Sequence, residues 1–137
     1  MKLKDIGRIL GAEVISGTEL LSIDIEMACG CDLMSDVLAF VKSGALLLTG
    51  LTNPQVVRTA DITDLVAVCF VRGKRPDQET VRLAESKNIP LLTTPLPMFE
   101  SCARLCREGL SGCSEYEKQR QTKAGRVAPG GEAVDAA

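Results

Sequence analysis

The sequence predicts an α/β fold, a single layered domain with a largely parallel β-sheet flanked by helices, and three observations carry that prediction. Apolar runs of strand length recur at residues 45–48, 65–71 and 89–92. Each stops on small, polar or basic residues: Thr49-Gly50, Arg72-Gly73-Lys74 and Thr93-Thr94. Amphipathic segments of helix length separate the runs, the alternation that builds parallel strand pairs through right-handed crossovers. With 137 residues, 45% of them apolar, and no internal repeat, the chain suffices for one packed domain but not two.

Taken in order, Leu3, Ile6, Ile9 and Leu10 share one face of a helix over residues 2–10, closed by Gly11 in the position favoured after a helix. Glu13–Ser16 reads as a strand. Leu21, Ile23, Ile25 and Met27 alternate with Ser22, Asp24, Glu26 and Ala28, so residues 20–29 read as a second strand. A Gly17-Thr18 turn would join the two in a hairpin at the sheet edge. Asp32 is placed to cap a helix with Leu33, Val37, Leu38 and Val41 on its apolar face and Gly44 at its end. Asn53 caps and Pro54 opens the next, with Val56, Val57 and Ala60 inward. Pro76 and Asp77 open a further helix carrying Val81, Leu83 and Ala84, and the last covers residues 97–109 with Phe99, Cys102, Ala103, Leu105 and Cys106 as its apolar side chains. Beyond Gly109 the apolar pattern fades. The domain is expected over residues 1–110 and a flexible, disordered tail over 111–137, with at most a helical turn near residues 115–123.

Composition removes whole classes of function. Net charge is −2 with lysine and arginine scattered, and aromatic residues make up 3%, so neither a concentrated basic face nor a base-stacking platform for nucleic acid is present. No apolar run approaches the roughly 20 residues that span a bilayer, and Met1-Lys2-Leu3-Lys4-Asp5 lacks the apolar core of a signal peptide. The expected location is cytoplasmic, with no membrane partner. Histidine is absent, which excludes Ser-His, Cys-His and His-metal arrangements. The phosphate-binding loop and dinucleotide fingerprints are missing as well. The six cysteines read as thiols.

Ligands of open α/β sheets bind outside the carboxyl ends of the parallel strands. That rule gathers Thr49, Gly50, Thr52 and Asn53 beside Arg72, Gly73 and Lys74, with Thr93 and Thr94 as the third contributor. Glycines allow close approach, hydroxyls and a helix start donate hydrogen bonds, and two cations attract a phosphate or carboxylate. Ordinary loop chemistry after a strand accounts for the same residues. Asp32, Ser35 and Asp36 form a second candidate cluster for a metal or hydroxyl-rich ligand, although capping also explains Asp32. Cys29 and Cys31 sit at a loop and are the weak metal candidates, since their spacing departs from C-x2-C; Cys69, Cys102 and Cys106 read as core. The sequence names no cofactor.

Several stretches resemble the DRTGG domain, an α/β module that is itself similar to the N-terminal domain of HPr kinase/phosphorylase. They are residues 10–14 (Leu-Gly-Ala-Glu-Val), 39–50 (Ala-Phe-Val-Lys-Ser-Gly-Ala-Leu-Leu-Leu-Thr-Gly), 68–73 and 84–94, so the resemblance covers about residues 3–110. The five-letter signature that names the family is not complete here, Thr49-Gly50-Leu51 being its nearest stretch. Residues 32–38 are similar to small stand-alone members often encoded near iron-only hydrogenase genes. The resemblance implies a regulatory or sensory module without kinase activity, often placed at subunit interfaces. The reading that follows is a non-catalytic, homodimeric module binding a small anionic metabolite such as a nucleotide. Two others stay open: a thiol-dependent accessory protein of hydrogenase or iron–sulfur metabolism, and an interaction scaffold with an empty crevice.

Overall fold

The computed structural model describes residues 1–113. Along the chain run α1 (Leu3–Leu10), β1 (Glu13–Ser16), a 3-10 turn (Thr18–Leu20), β2 (Met27–Gly30), α2 (Met34–Phe40), β3 (Ala45–Thr49), α3 (Pro54–Ile62), β4 (Ala67–Phe70), α4 (Gln78–Ser86), β5 (Leu91–Thr93), α5 (Met98–Arg107) and β6 (Ser111–Gly112). Among the described residues the sheet has six strands in the order β1-β5-β4-β3-β2-β6. Of these six, only β1 runs antiparallel to its neighbour. This is the α/β architecture the sequence predicts.

Both faces of the sheet are covered. Leu47, Val68, Phe70 and Leu91 meet Met34, Val37, Val56, Val57, Ala60 and Ala84 of α2, α3 and α4. On the other face Leu46, Leu48, Cys69 and Leu92 meet Leu3, Ile6 and Leu10 of α1 and Leu105 of α5. Burial on both sides explains why β3 and β4 read as continuous apolar runs rather than alternations: every residue of both strands is buried. At about 25 cal/mol per Å2 each such leucine contributes roughly 2 kcal/mol, so the two faces together supply most of the driving force.

Four sequence expectations need correction. Residues 20–29 do not form one strand paired with β1. The 3-10 turn interrupts them, and the Leu3 and Lys4 amides donate to the Ile23 and Leu21 carbonyls while Ile25 donates to Met1. The Leu21, Ile23, Ile25 alternation is real, but it packs into the α1 side of the core instead of into the sheet. Consequently β1 and β2 lie far apart in the strand order, and no hairpin joins them. Second, α2 starts at Met34 behind Leu33, not behind Asp32, and ends at Phe40, before Gly44. Third, Asn53 precedes α3 without a side-chain capping bond. Fourth, Phe99 is 83% exposed, and Cys106 is exposed too, although the α5 pattern assigned both to the core. The sheet also continues past Leu110 through β6, which pairs with β2. Of the tail expected over residues 111–137, residues 111–112 thus belong to the sheet, and residues 114–137, including the turn near 115–123, lie outside the described residues.

Candidate functional site

The strand order supplies the frame. β2, β3, β4 and β5 follow one another across the sheet with α2, α3 and α4 on one face, whereas β6 returns past α5 to the other side of β2. β2 therefore borders the place where the winding reverses, and the residues following it enter the carboxyl rim there.

Asp32 is the side chain that organises this rim. Its Oδ1 accepts from the Thr49 hydroxyl at 3.0 Å and from the Gly50 amide at 2.7 Å. Thr49 Oγ1 in turn accepts from the Leu51 amide at 3.2 Å. From the next strand, Lys74 Nζ donates to the Gly50 carbonyl at 3.2 Å. A carboxylate and an ammonium thus flank one glycine. A methyl group placed on Gly50 would lie 3.5 Å from both Asp32 Oδ1 and Lys74 Nζ, ordinary contact distances, so two oppositely charged side chains converge on this glycine.

The loop bearing Lys74 is shaped by its backbone. Arg72 adopts φ 58° and Gly73 φ 68°, and this left-handed pair turns the chain sharply after β4. The turn is held where the Arg72 amide donates to the Leu96 carbonyl at 2.9 Å and the Gly73 amide to Thr94 at 2.7 Å. Arg72 is left exposed beside the rim. Thr93 fixes the same loop, its hydroxyl donating to the Lys74 carbonyl at 2.7 Å. Thr94 is different: it is wholly buried, and its hydroxyl donates at 2.6 Å to the carbonyl of Leu10 at the end of α1. Of the predicted site residues, Thr49, Gly50 and Lys74 meet directly, Thr93 and Gly73 support them from behind, and Thr94 is engaged in the core.

Thr52 is held through its carbonyl, which accepts from Thr80 Oγ1 at 3.3 Å. The Thr80 hydroxyl also donates to Asp77 Oδ1 at 2.8 Å, and the Thr80 amide donates there at 2.9 Å. Those two bonds hold the Asp77 carboxyl below its ordinary value, the amide having the larger effect. Asp77 therefore caps α4 as its position suggests, but the tie to Thr52 through Thr80 is not visible in the sequence. Asn53 is exposed at the start of α3.

The predicted Asp32, Ser35, Asp36 cluster does not assemble on one helical face, because Asp32 lies before the helix and turns to Thr49 and Gly50. Ser35 and Asp36 are exposed on α2. Among the described residues no group of three histidine, cysteine or acidic side chains is arranged to hold a metal ion. Cys31 Sγ instead donates to the Leu33 carbonyl at 3.4 Å, and Cys29 faces Cys113. Burial pushes the Cys69 thiol up to about 12, leaving it inert within β4. A separate cavity of about 310 Å3 opens near the amino end of β4, lined in part by Leu20, Asp61, Asp64 and Lys87. Among the described residues no helix is long and apolar enough to cross a membrane.

No family model matches the sequence, and no curated protein matches it as a relative. Among solved structures the chain is similar to the CBS and DRTGG domains of the regulatory region of Clostridium perfringens pyrophosphatase, a structure complexed with the activator diadenosine tetraphosphate. The TM-score is 0.62 at 18% identity, over 76% of this chain and 45% of that one, so the chain spans less than half of that structure. At that identity the similarity establishes the fold, a DRTGG-like α/β domain.

Proposed function

We propose that this protein is a non-catalytic regulatory module that binds a small phosphorylated metabolite, with nucleotides as the leading class, at the rim formed by Asp32, Thr49, Gly50 and Lys74. The observation that carries this reading is the convergence of Lys74 and Asp32 on Gly50, with Lys74 on one side to meet a phosphate and Asp32 on the other to accept from a ligand hydroxyl. A nucleotide offers both groups. Arg72, exposed on the same loop, adds a second cation. The nucleotide in the structurally similar pyrophosphatase region supports the class without identifying the ligand. Its combination of anion and hydroxyl also explains why a purely cationic cleft is not needed here.

We further propose that the module works as a homodimer in the cytoplasm. Leu33, Leu38 and Phe40, exposed by 59%, 47% and 74% around α2, support a self-association surface, and sedimentation velocity tests it.

The test of binding is thermal unfolding with a panel of nucleotides and non-nucleotide phosphates at millimolar concentration. A ligand present at about 100 times its dissociation constant stabilises the fold by roughly 2.7 kcal/mol, a midpoint shift of several degrees in a domain of this size. The shift is expected to vanish in Lys74→Ala. Flat curves across the panel would overturn the reading and favour the scaffold alternative.

A further inference from the structure

We infer that Cys29 and Cys113 form a redox-active dithiol, a site at which a disulfide joins the outermost strand β6 to β2. The inference is independent of what binds at the Gly50 rim.

Register carries it. β2 and β6 are parallel, with Met27 opposite Ser111 and Ala28 opposite Gly112. One step further sets Cys29 beside Cys113, on strands whose spacing is about 4.8 Å. That lies inside the roughly 4.4–6.8 Å range of Cα separations that a disulfide spans. Side chains in register on parallel strands emerge on the same face, and both thiols do pack into the α2–α3 side of the core. Cys31 shares that face but sits two residues along the strand, roughly 6.6 Å away by strand rise, beyond the Cβ separation of about 4 Å that a bridge needs. Its sulfur is moreover turned to the Leu33 carbonyl. Cys102 approaches the opposite face, where a methyl group on Gly30 would come 3.0 Å from its Sγ.

The two thiols are also chemically unequal. A hydrogen bond from Cys29 brings Cys113 down to about 7 despite its burial, with help from the Lys42 amide and charge. The same thiol–thiol bond, together with burial, pushes Cys29 up. Cys113 is thus the attacking group and Cys29 the resolving one. Access follows from position: β6 is two residues long and is the last strand of the sheet's order, so it lifts at low cost.

With a small-molecule disulfide as oxidant the steps balance. The Cys113 thiolate attacks one sulfur, forming a mixed disulfide and releasing one small thiolate. Cys29 gives up its proton, attacks Cys113 Sγ and releases the second. Two protein thiols are oxidised, and one disulfide is reduced to two thiols. The product closes a loop between residues 29 and 113 and pins the edge of the sheet to β2, the strand that leads into Asp32.

The experiment uses the full chain, reduced, then exposed to glutathione disulfide and quenched with N-ethylmaleimide before tryptic mass spectrometry. Expected are an intact mass with four maleimides, two fewer than the six of the unoxidised chain, and two fewer hydrogens, and a peptide pair whose fragmentation maps the bridge to Cys29 and Cys113. Cys31→Ser retains that bridge and Cys113→Ser, a change at the sheet edge, abolishes it. The oxidised wild-type chain unfolds at a higher temperature than the reduced one, a difference removed by dithiothreitol. A bridge mapped to Cys31 or Cys102 would overturn the inference. So would a wild-type chain whose Cys29 and Cys113 both carry maleimide after oxidation.

Discussion

Two strand ends that look alike in the sequence have opposite roles in the molecule. Thr49 closes β3 and Thr94 follows β5, each after a buried apolar strand on the same sheet edge. The Thr94 hydroxyl reaches the carbonyl of Leu10 because α1 ends directly over it, which makes it a fastener between helix and sheet. The Thr49 hydroxyl reaches the carboxylate of Asp32 at the lip, beside Gly50 and Lys74. On the proposed reading, the strand end that no helix terminus closes over is the one that binds.

That contrast breaks most visibly at Thr94. Thr94→Val leaves the Leu10 carbonyl without this donor in a buried position, and the expected loss is about 1–3 kcal/mol, read by urea denaturation, with ligand affinity unchanged once the variant is folded. Thr49→Val retains more stability, since the Gly50 amide still donates to Asp32, and the loss expected by the same measurement is about 1 kcal/mol.

Gly50→Ala sharpens the comparison from the other side. The added methyl meets Asp32 Oδ1 and Lys74 Nζ at contact distance, 3.5 Å, so stability should stay within about 0.5 kcal/mol. Nucleotide binding by titration calorimetry should be lost. Unchanged affinity would remove Gly50 from the account.

The smallest effect concerns acid. Thr80 holds the folded-state Asp77 carboxyl below its ordinary 3.8, so its stabilising contribution is complete above that value and is lost as pH falls through the lowered one. Asp77→Asn should flatten the acid limb of the unfolding midpoint and lower the midpoint slightly at neutral pH. An acid limb identical in the two proteins would contradict this.

What the sequence reveals follows from the range of each interaction. The buried runs of β3, β4 and β5, and the helices between them, are legible because both faces of the sheet demand apolar residues. Gly50 and Lys74 are legible as strand-end residues for the same reason. Asp32 reads as a cap because capping is the local explanation for an aspartate before a helix, while its real partners lie 17 and 18 residues further on. The hairpin failed because Leu21, Ile23 and Ile25 satisfy a period of two beneath α1 as well as they would in a sheet. Strand β6 is too short to carry any period, so Cys113 stood out from nothing around it.

The most direct test of the central claim is an amide nitrogen–proton spectrum of the labelled protein during titration with adenosine triphosphate. The account predicts progressive shifts at Gly50, Leu51 and Lys74 while Thr94 and Leu10 stay in place. Shifts confined to Asp61, Asp64 and Lys87, around the cavity at the opposite rim, would contradict it.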